Sequence, residues 1–480
     1  MNESPTQRLA RLDHDHLWHP FTAMRQWREQ PPVIIERGEG FEIVDTDGHR
    51  YIDGVSSLWC NVHGHQVPEI DQAVRDQLGR IAHTTLLGLS SPPAIEFAAK
   101  LAEITPGGLS KTFYSDAGAT AVEVAFKMAV GYWHHQGQPQ KHKFIGLAEA
   151  YHGDTTGAMS VGYSELFHKP FLPMVFPVSS FPHPDPVRPP REVRRRVEKL
   201  PHAHPRDPSE ADVWPSEDPR LREALLEYCL DELEKMLQEQ GHETAAIVIE
   251  PVMQGAAGMI CQPPGFVGGV ADLARKYDVL LIADEVATGF ARTGRMFAVE
   301  HDGVEPDIMC LAKGISGGYL PLAATVVTDA IDEAFTGSPE EKKTLYHGHT
   351  YTGNPLACAA ALASLELIEK NDVVGHSQQS SELIREKLLP LHESPHVLDV
   401  RQRGLMVGIE LGRSREHAEA FDFSKRTAAK VCEAMRPHGL MIRPLGDVMV
   451  LMPAPAMDHD TLARMLDIVV DTVLAWPVKI

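Results

Sequence analysis

Two segments of the 480-residue chain carry residue types whose spacing suits covalent chemistry on an amine. The first, VLLIADEVATGFARTG, is an apolar run ending in Asp284. The second, DIMCLAKGISGGYLPLAAT, sets Lys313 between Ala312 and Gly314 in a glycine-rich turn. A carboxylate at the carboxyl end of a parallel strand stands where open α/β sheets bind ligands. The small neighbours of Lys313 leave room for a large group on its amine. Read singly, Lys313 would be a surface lysine and Asp284 a turn former or helix cap. Together, about one strand–helix unit apart, they supply what pyridoxal 5′-phosphate (PLP) needs: a lysine for a Schiff base and an acid against the pyridine nitrogen. The acid keeps that nitrogen protonated, so the ring can accept electrons when a substrate Cα–H bond breaks.

A phosphate needs a helix N-terminus, where free N–H groups and the helix dipole attract anions. The run YSDAGATAVEVAFKMAVGYW offers one: a strand ends at Ser115, and Gly118 and Ala119 open a helix with Thr120 as an extra hydroxyl. Many α/β chains have such a turn, so it supports the pair above rather than standing alone. Tyr151, in EAYHGDTTGAMS after the strand KFIGL, either lies against a cofactor ring or is an ordinary packed tyrosine. Arg443, in MIRPLGD, is the candidate for a substrate carboxylate, since guanidinium binds carboxylate bidentately; a structural salt bridge is the other reading. The histidine clusters His14/His16/His19, His63/His65, His134/His135 and His347/His349 combine with no Cys, Asp or Glu at a ligand spacing, so no metal site is expected. No G-x-S-x-G elbow appears, which sets aside a serine hydrolase.

These groups must be held by something. The strand candidates KTFYS, KFIGL, AAIVIE, VLLIAD and AATVVT alternate with helical patterns from about residue 111 to 328. Most are apolar on both faces, as in a mostly parallel sheet covered by helices on both sides. Before them, FEIVDTDGHRYIDG reads as two strands around a turn at Asp45–Gly48, followed by helices in VPEIDQAVRDQLGRIA and PAIEFAAKLAEI. After them come a helix in PLACAAALASLELIEK and short strands in GLMVGIEL, which read as a small α/β lobe. Residues 182–219 are rich in proline and charge and read as an exposed insertion or long loop; a partner-binding arm is the alternative.

Composition closes off other classes. The chain has 45 Lys and Arg against 66 Asp and Glu, a net charge of −21, which argues against a nucleic-acid binder. No apolar run is long enough to cross a bilayer, and the N-terminus lacks the apolar core of a signal peptide. Six scattered cysteines without a CxxC pair fit reduced thiols, and a cytoplasmic location is expected.

At DEVATGF and the AKG lysine turn the chain resembles the class-III (fold type I) aminotransferases, from about residue 17 to the C-terminus apart from the proline-rich insertion. Within that class it is similar to the 7,8-diaminopelargonate synthases of biotin biosynthesis. The motifs are WHPFTAM (18–24), SSLWCNVHGH (56–65), YHGDTTGAMSVG (151–162), HGHTYTGNPLACA (347–359) and RPLGDVMVLMPA (443–454). The resemblance implies an N-terminal segment 1–65 shared with a small lobe. A large PLP-binding domain 66–350 carries the insertion, and a C-terminal small α/β domain spans 351–480. It implies that Lys313 carries the cofactor and moves the substrate proton, that Asp284 pairs with the pyridine nitrogen, and that Gly118 and Ala119 hold the phosphate. His349 and Thr350 of a neighbouring subunit would join the phosphate site, making a homodimer. Tyr151, Gly348, Leu58 and Trp59 would line the pocket, Phe21 would border the substrate tail, and Arg443 would take the carboxylate of 8-amino-7-oxononanoate.

Three departures bear on the amino donor. Family members using S-adenosylmethionine usually carry Tyr at the place of Phe21 and paired tryptophans at Leu58-Trp59, and a hydroxyl is common at Ala119. SSLWCNVHGH is closer to a branch that uses L-lysine. S-adenosylmethionine is the expected donor, with L-lysine the alternative. Two rivals remain: another class-III enzyme acting on an ω-amino acid or diamine with pyruvate or 2-oxoglutarate, and a non-catalytic PLP-fold protein binding partners through 182–219.

Overall fold

The computed structural model describes residues 3–199, 213–415 and 417–476. Its centre is a seven-stranded sheet. In chain order the strands are β1 (Leu109–Ser115), β2 (Lys143–Leu147), β3 (Ser179–Phe181), β4 (Thr244–Ile249), β5 (Leu280–Asp284), β6 (Ile308–Leu311) and β7 (Ala323–Thr328). Across the sheet they run β1-β7-β6-β5-β4-β2-β3. Four neighbouring pairs are parallel, and β7 alone runs against both of its neighbours, β6 and β1. The run AATVVT is thus the reversed strand of a mostly parallel sheet. Every residue of β4 and β5 is buried. Alternate residues feed two layers: Ile247, Ile249, Leu281 and Ala283 face one core, and Ala246, Val248, Leu280 and Ile282 the other. Helix α1 (Gly118–His135) covers the second layer through Ala121, Val122, Val124 and Ala125.

Around this sheet the chain ends meet. Strands Ile35–Glu39, Glu42–Asp45 and Arg50–Asp53 form an antiparallel ribbon, and Leu440–Met441 joins its edge in parallel, Leu440 opposite Ile52. A second antiparallel sheet holds Val397–Arg403, Met406–Leu411, Val448–Leu451 and, at its edge, Arg443–Leu445.

The insertion is not loop throughout. Residues Arg191–Lys199 form a helix that lays Val193, fully buried, against Ala224 and Leu225 of helix Pro219–Gln240. Val193 and Val197 share one face four residues apart, and Arg196 reaches Asp231 at 2.6 Å. Residues 200–212 of the insertion lie outside the described residues. Among those described, no helix is long and apolar enough to cross a membrane.

Candidate active site

The carboxyl edge of the parallel strands carries the chemistry. Asp284 is the last residue of β5, Glu250 follows β4 directly, Lys313 lies just beyond β6, and Tyr151 and His152 stand in the loop after β2. They surround a cavity of about 810 Å³ that Leu58, Trp59, Gly118 and Ala119 also line.

Lys313 is held at a φ of +46°, uncommon for a residue with a side chain, at the start of a short turn of 3₁₀ helix. The turn fits because Gly318, at φ +85°, lets the chain pass against the backbone of Asn61, where a Cβ would come within 2.8 Å. The Lys313 Nζ lies 5.0 Å from the Trp59 ring centroid and makes no ion pair among the described residues. Burial pushes its pKa down, against the upward pull of Asp284 and Glu250. An amine in that state spends more of its time as the free nucleophile.

Asp284 accepts the Nδ1–H of His152 at 2.7 Å and the Val286 N–H at 3.0 Å. His152 is fully buried and its other ring nitrogen, Nε2, has no partner among the described residues. Burial would lower the His152 pKa, but the hydrogen bond and charge of Asp284 outweigh it and raise it. Glu250 accepts N–H bonds from Tyr151 at 3.1 Å and Gly255 at 2.9 Å, and burial pushes its carboxyl up to about 7. The Tyr151 hydroxyl donates to Asp154 at 2.8 Å.

The anion cradle lies opposite. Thr120 and Ala121 make the first bonds of helix α1, both to the Ala117 carbonyl, which leaves the Gly118 and Ala119 N–H groups outside the ladder at the cavity wall. A Cβ on Gly118 would meet Val286 at 2.7 Å, and one on Gly153, at φ +120°, would meet the Ala119 Cβ at 2.3 Å. Thr120 does not extend the cradle: its hydroxyl donates to the Ala117 carbonyl and accepts the Ala117 N–H, so the helix start consumes it.

Seven of the residues singled out from sequence, Leu58, Trp59, Gly118, Ala119, Tyr151, Asp284 and Lys313, line this one cavity. Five do not. Phe21 is exposed and meets the Phe167 ring edge-on at 5.8 Å. Arg443 is exposed on its edge strand, with no ion pair among the described residues, so the salt-bridge alternative for it has no partner. Gly348 and Thr350 stand on an exposed loop, whereas His349 of that loop donates its Nδ1–H to the Asp116 carboxylate at 2.7 Å, beside Gly118. His349 also meets His347 at 3.1 Å, which takes a bond from Lys127 at 2.9 Å. Sequence reading passed over His152 and Glu250. Glu250 had the same signal as Asp284, a carboxylate ending an apolar strand. His152 sits inside a motif quoted for its neighbour Tyr151, and nothing local announces its bond to Asp284.

The site fits PLP: a buried amine with no ion pair among the described residues, a buried carboxyl group and a helix start of small residues surround one space. Comparison with known proteins agrees. The profile of the class-III aminotransferase family matches residues 23–473. An adenosylmethionine-8-amino-7-oxononanoate aminotransferase of Geobacter sulfurreducens is 47% identical over 467 residues, 97% of each chain. The crystal structure of the enzyme of that name from Methanocaldococcus jannaschii superposes with a TM-score of 0.87 at 40% identity, covering 97% of this chain and 98% of that one. A PLP-bound amine transaminase from an uncultivated Pseudomonas species superposes with a TM-score of 0.86 at 31% identity, over 96% and 98%.

Proposed function

The chain belongs to the class-III aminotransferases, and from that premise we propose that it aminates the 7-keto group of 8-amino-7-oxononanoate to give 7,8-diaminononanoate, drawing the amine from S-adenosylmethionine. The observation that carries the reading is the buried, unpaired Lys313 amine in a cavity that also holds Asp284 and the Gly118–Ala119 cradle. PLP, the cofactor of the family, supplies an electron sink and an amino-group carrier when bound. The chain's own residues do the rest. Gly118 and Ala119 hold the phosphate by their N–H groups, and Asp284, backed by His152, holds a positive charge at the ring nitrogen. Tyr151 flanks the ring. Lys313 would anchor the cofactor, and its amine, when free, would take the proton from the α-carbon of the donor and pass it to the carbon of the cofactor that bears the amino group. Leu58 and Trp59 shape an apolar wall for the substrate chain; Phe21, Gly348 and Arg443, which stand outside the cavity of the single chain, would meet the substrate farther out, Phe21 along its tail, Gly348 at the mouth and Arg443 at the far carboxylate.

Holoenzyme given 8-amino-7-oxononanoate with either S-adenosylmethionine or L-lysine is expected to form 7,8-diaminononanoate from the former. Product from lysine alone would make Phe21 and Leu58 the marks of a donor change. Turnover confined to simple ω-amines with pyruvate or 2-oxoglutarate would sink the biotin-pathway reading and leave a general ω-amino acid aminotransferase. In the same assay Arg443→Ala is expected to raise the KM for 8-amino-7-oxononanoate roughly 10- to 100-fold, the worth of a charge-assisted hydrogen-bonded pair. An unmoved KM would take the carboxylate role from Arg443.

The working unit in this proposal is a homodimer. Leu87 and Tyr346 are 89% and 81% exposed, with Leu58 and Tyr351 also open, large side chains that a second copy would cover. In the dimer, His349 and Thr350 of the second copy complete the phosphate site. Sedimentation equilibrium of the holoenzyme is expected to give twice the chain mass, and a fully active species of single-chain mass would refute the shared site.

A further inference from the structure

One wall of the cavity is built on a backbone that residues with side chains rarely take. Ser56, Ser57, Leu58 and Trp59 follow one another at left-handed φ values of +50°, +49°, +78° and +72°, with no glycine among them. Leu58 and Trp59 line the cavity from this run, the Trp59 ring centroid 5.0 Å from the Lys313 Nζ. Backbone in this region persists only where its surroundings hold it.

The start of the run is held by Asp53, the last residue of strand Arg50–Asp53 and 4% exposed. Its Oδ1 accepts the Ser57 N–H at 2.9 Å, and its Oδ2 accepts the Ser57 hydroxyl at 2.6 Å. The residue before Leu58 is thus gripped at two points. Oδ2 also accepts the Nε2–H of His65 at 3.1 Å. Asn61 fixes where the proton of that ring sits. The Asn61 Oδ1 accepts the Gly64 N–H at 2.6 Å, which turns the Nδ2–H toward the His65 Nδ1 at 3.3 Å and leaves Nε2 as the donor. His65 is itself seated on the N-terminal ribbon. Its N–H donates to the Gly40 carbonyl at 2.6 Å, and a Cβ on Gly38 would meet its ring at 2.5 Å. Burial would raise the Asp53 carboxyl, but the hydrogen bonds from His65 and Ser57 outweigh it and hold it below the ordinary carboxylate value. The far end of the run is tied separately, by Arg292 to the Trp59 and Asn61 carbonyls at 3.3 and 3.2 Å.

We infer that Asp53 is a positioning residue for the substrate wall: its carboxylate, oriented by His65, clamps Ser57 and so holds the left-handed run that sets Leu58 and Trp59 against the substrate. This rests on the aminotransferase reading of the cavity and adds to it the acid that keeps one wall in place.

The test compares wild-type and Asp53→Asn holoenzymes on whichever amine donor and keto acceptor the wild type turns over. Wild-type failure with 8-amino-7-oxononanoate speaks only to the proposed substrate, because the comparison runs equally well on an ω-amine. Asp53→Asn keeps the size of the side chain but cannot accept all three hydrogen bonds, since its amide has one acceptor oxygen. It is expected to raise substrate KM roughly 10- to 100-fold, as misplacing a substrate-positioning element does. Its kcat at saturation stays within about threefold, and its cofactor content and visible spectrum are those of the wild type. Adding Ser57→Gly supplies a residue that takes the left-handed φ at no steric cost, so the double variant is expected to recover KM by about threefold or more. A residue that merely stabilised the fold would lower the melting temperature and the active fraction but leave the KM of the surviving enzyme alone; that result overturns the inference. A raised KM that Ser57→Gly leaves where it was also overturns it, because the strained run would then not be what Asp53 holds. If Asp53→Asn does not accumulate, His65→Phe, which keeps the ring on Gly38 and removes the donor to Asp53, is expected to raise KM by a smaller factor, and an unchanged KM there overturns the inference as well.

Discussion

Lys313→Ala is expected to lower turnover by about 10⁴-fold or more, because it removes both the anchor of the cofactor and the group that moves the substrate proton. Borohydride reduction should fix the cofactor to the Lys313 peptide in the wild type and to nothing in the variant. Cofactor should still bind, since Gly118, Ala119 and Asp284 are built by other elements. A variant that kept the visible band of lysine-bound cofactor and full turnover would end the assignment. The apo form carries a second signature. Burial holds the Lys313 pKa below the ordinary lysine value of about 10.4. Between the lowered folded pKa and that unfolded value, the unfolded chain binds the extra proton, so wild-type stability rises with pH relative to the alanine variant. Below the window the wild type carries the full cost of a buried charge, and above it the two converge. Denaturant unfolding of both apo forms at a series of alkaline pH values should show the gap closing as pH rises.

How far the site could be read from the sequence follows from how local each signal is. Asp284 and Lys313 announce themselves because an apolar strand ending in a carboxylate and a lysine among small residues are features of a few adjacent positions. The cradle at Gly118 was legible for the same reason, although the Thr120 hydroxyl was assigned outward when the helix start claims it. Glu250 was missed despite an identical strand-end signal in AAIVIE. The reversed β7 was unreadable in principle, since a strand buried on both faces has the same pattern in either direction. β3 and β6, of three and four residues, were too short to count as runs. The union of Ile52 with Leu440 and the grip of Arg292 on Ser56, 236 residues earlier, are long-range facts with no local trace. Chemistry was therefore visible where one element carries it, and invisible where a second element must be brought to it.

The largest expected effect after Lys313 belongs to Asp284→Asn, a change that keeps shape and removes charge. The carboxylate is 4% exposed and sits between the His152 Nδ1–H at 2.7 Å and the space in front of it in the cavity. Two consequences follow from its loss. His152 loses the hydrogen bond and charge that raise its pKa most, so burial pushes it back down. A cation facing position 284 from the cavity then meets an amide dipole instead of an ion. Breaking a buried pair of this kind costs about 3–5 kcal/mol, which corresponds to a loss of roughly 10²- to 10⁴-fold if it falls on the transition state alone. The expected pattern is thus a large fall in kcat with cofactor still bound through the cradle and Lys313. Single-turnover rates of the donor half-reaction measure that fall directly, because product release does not enter them. Asp284→Ala should be no better than Asp284→Asn if charge is what matters, and the smaller side chain would be much worse if packing were. A rate for Asp284→Asn within threefold of wild type would mean that the acid serves only to seat His152, and the electron-sink chemistry would need another source of charge.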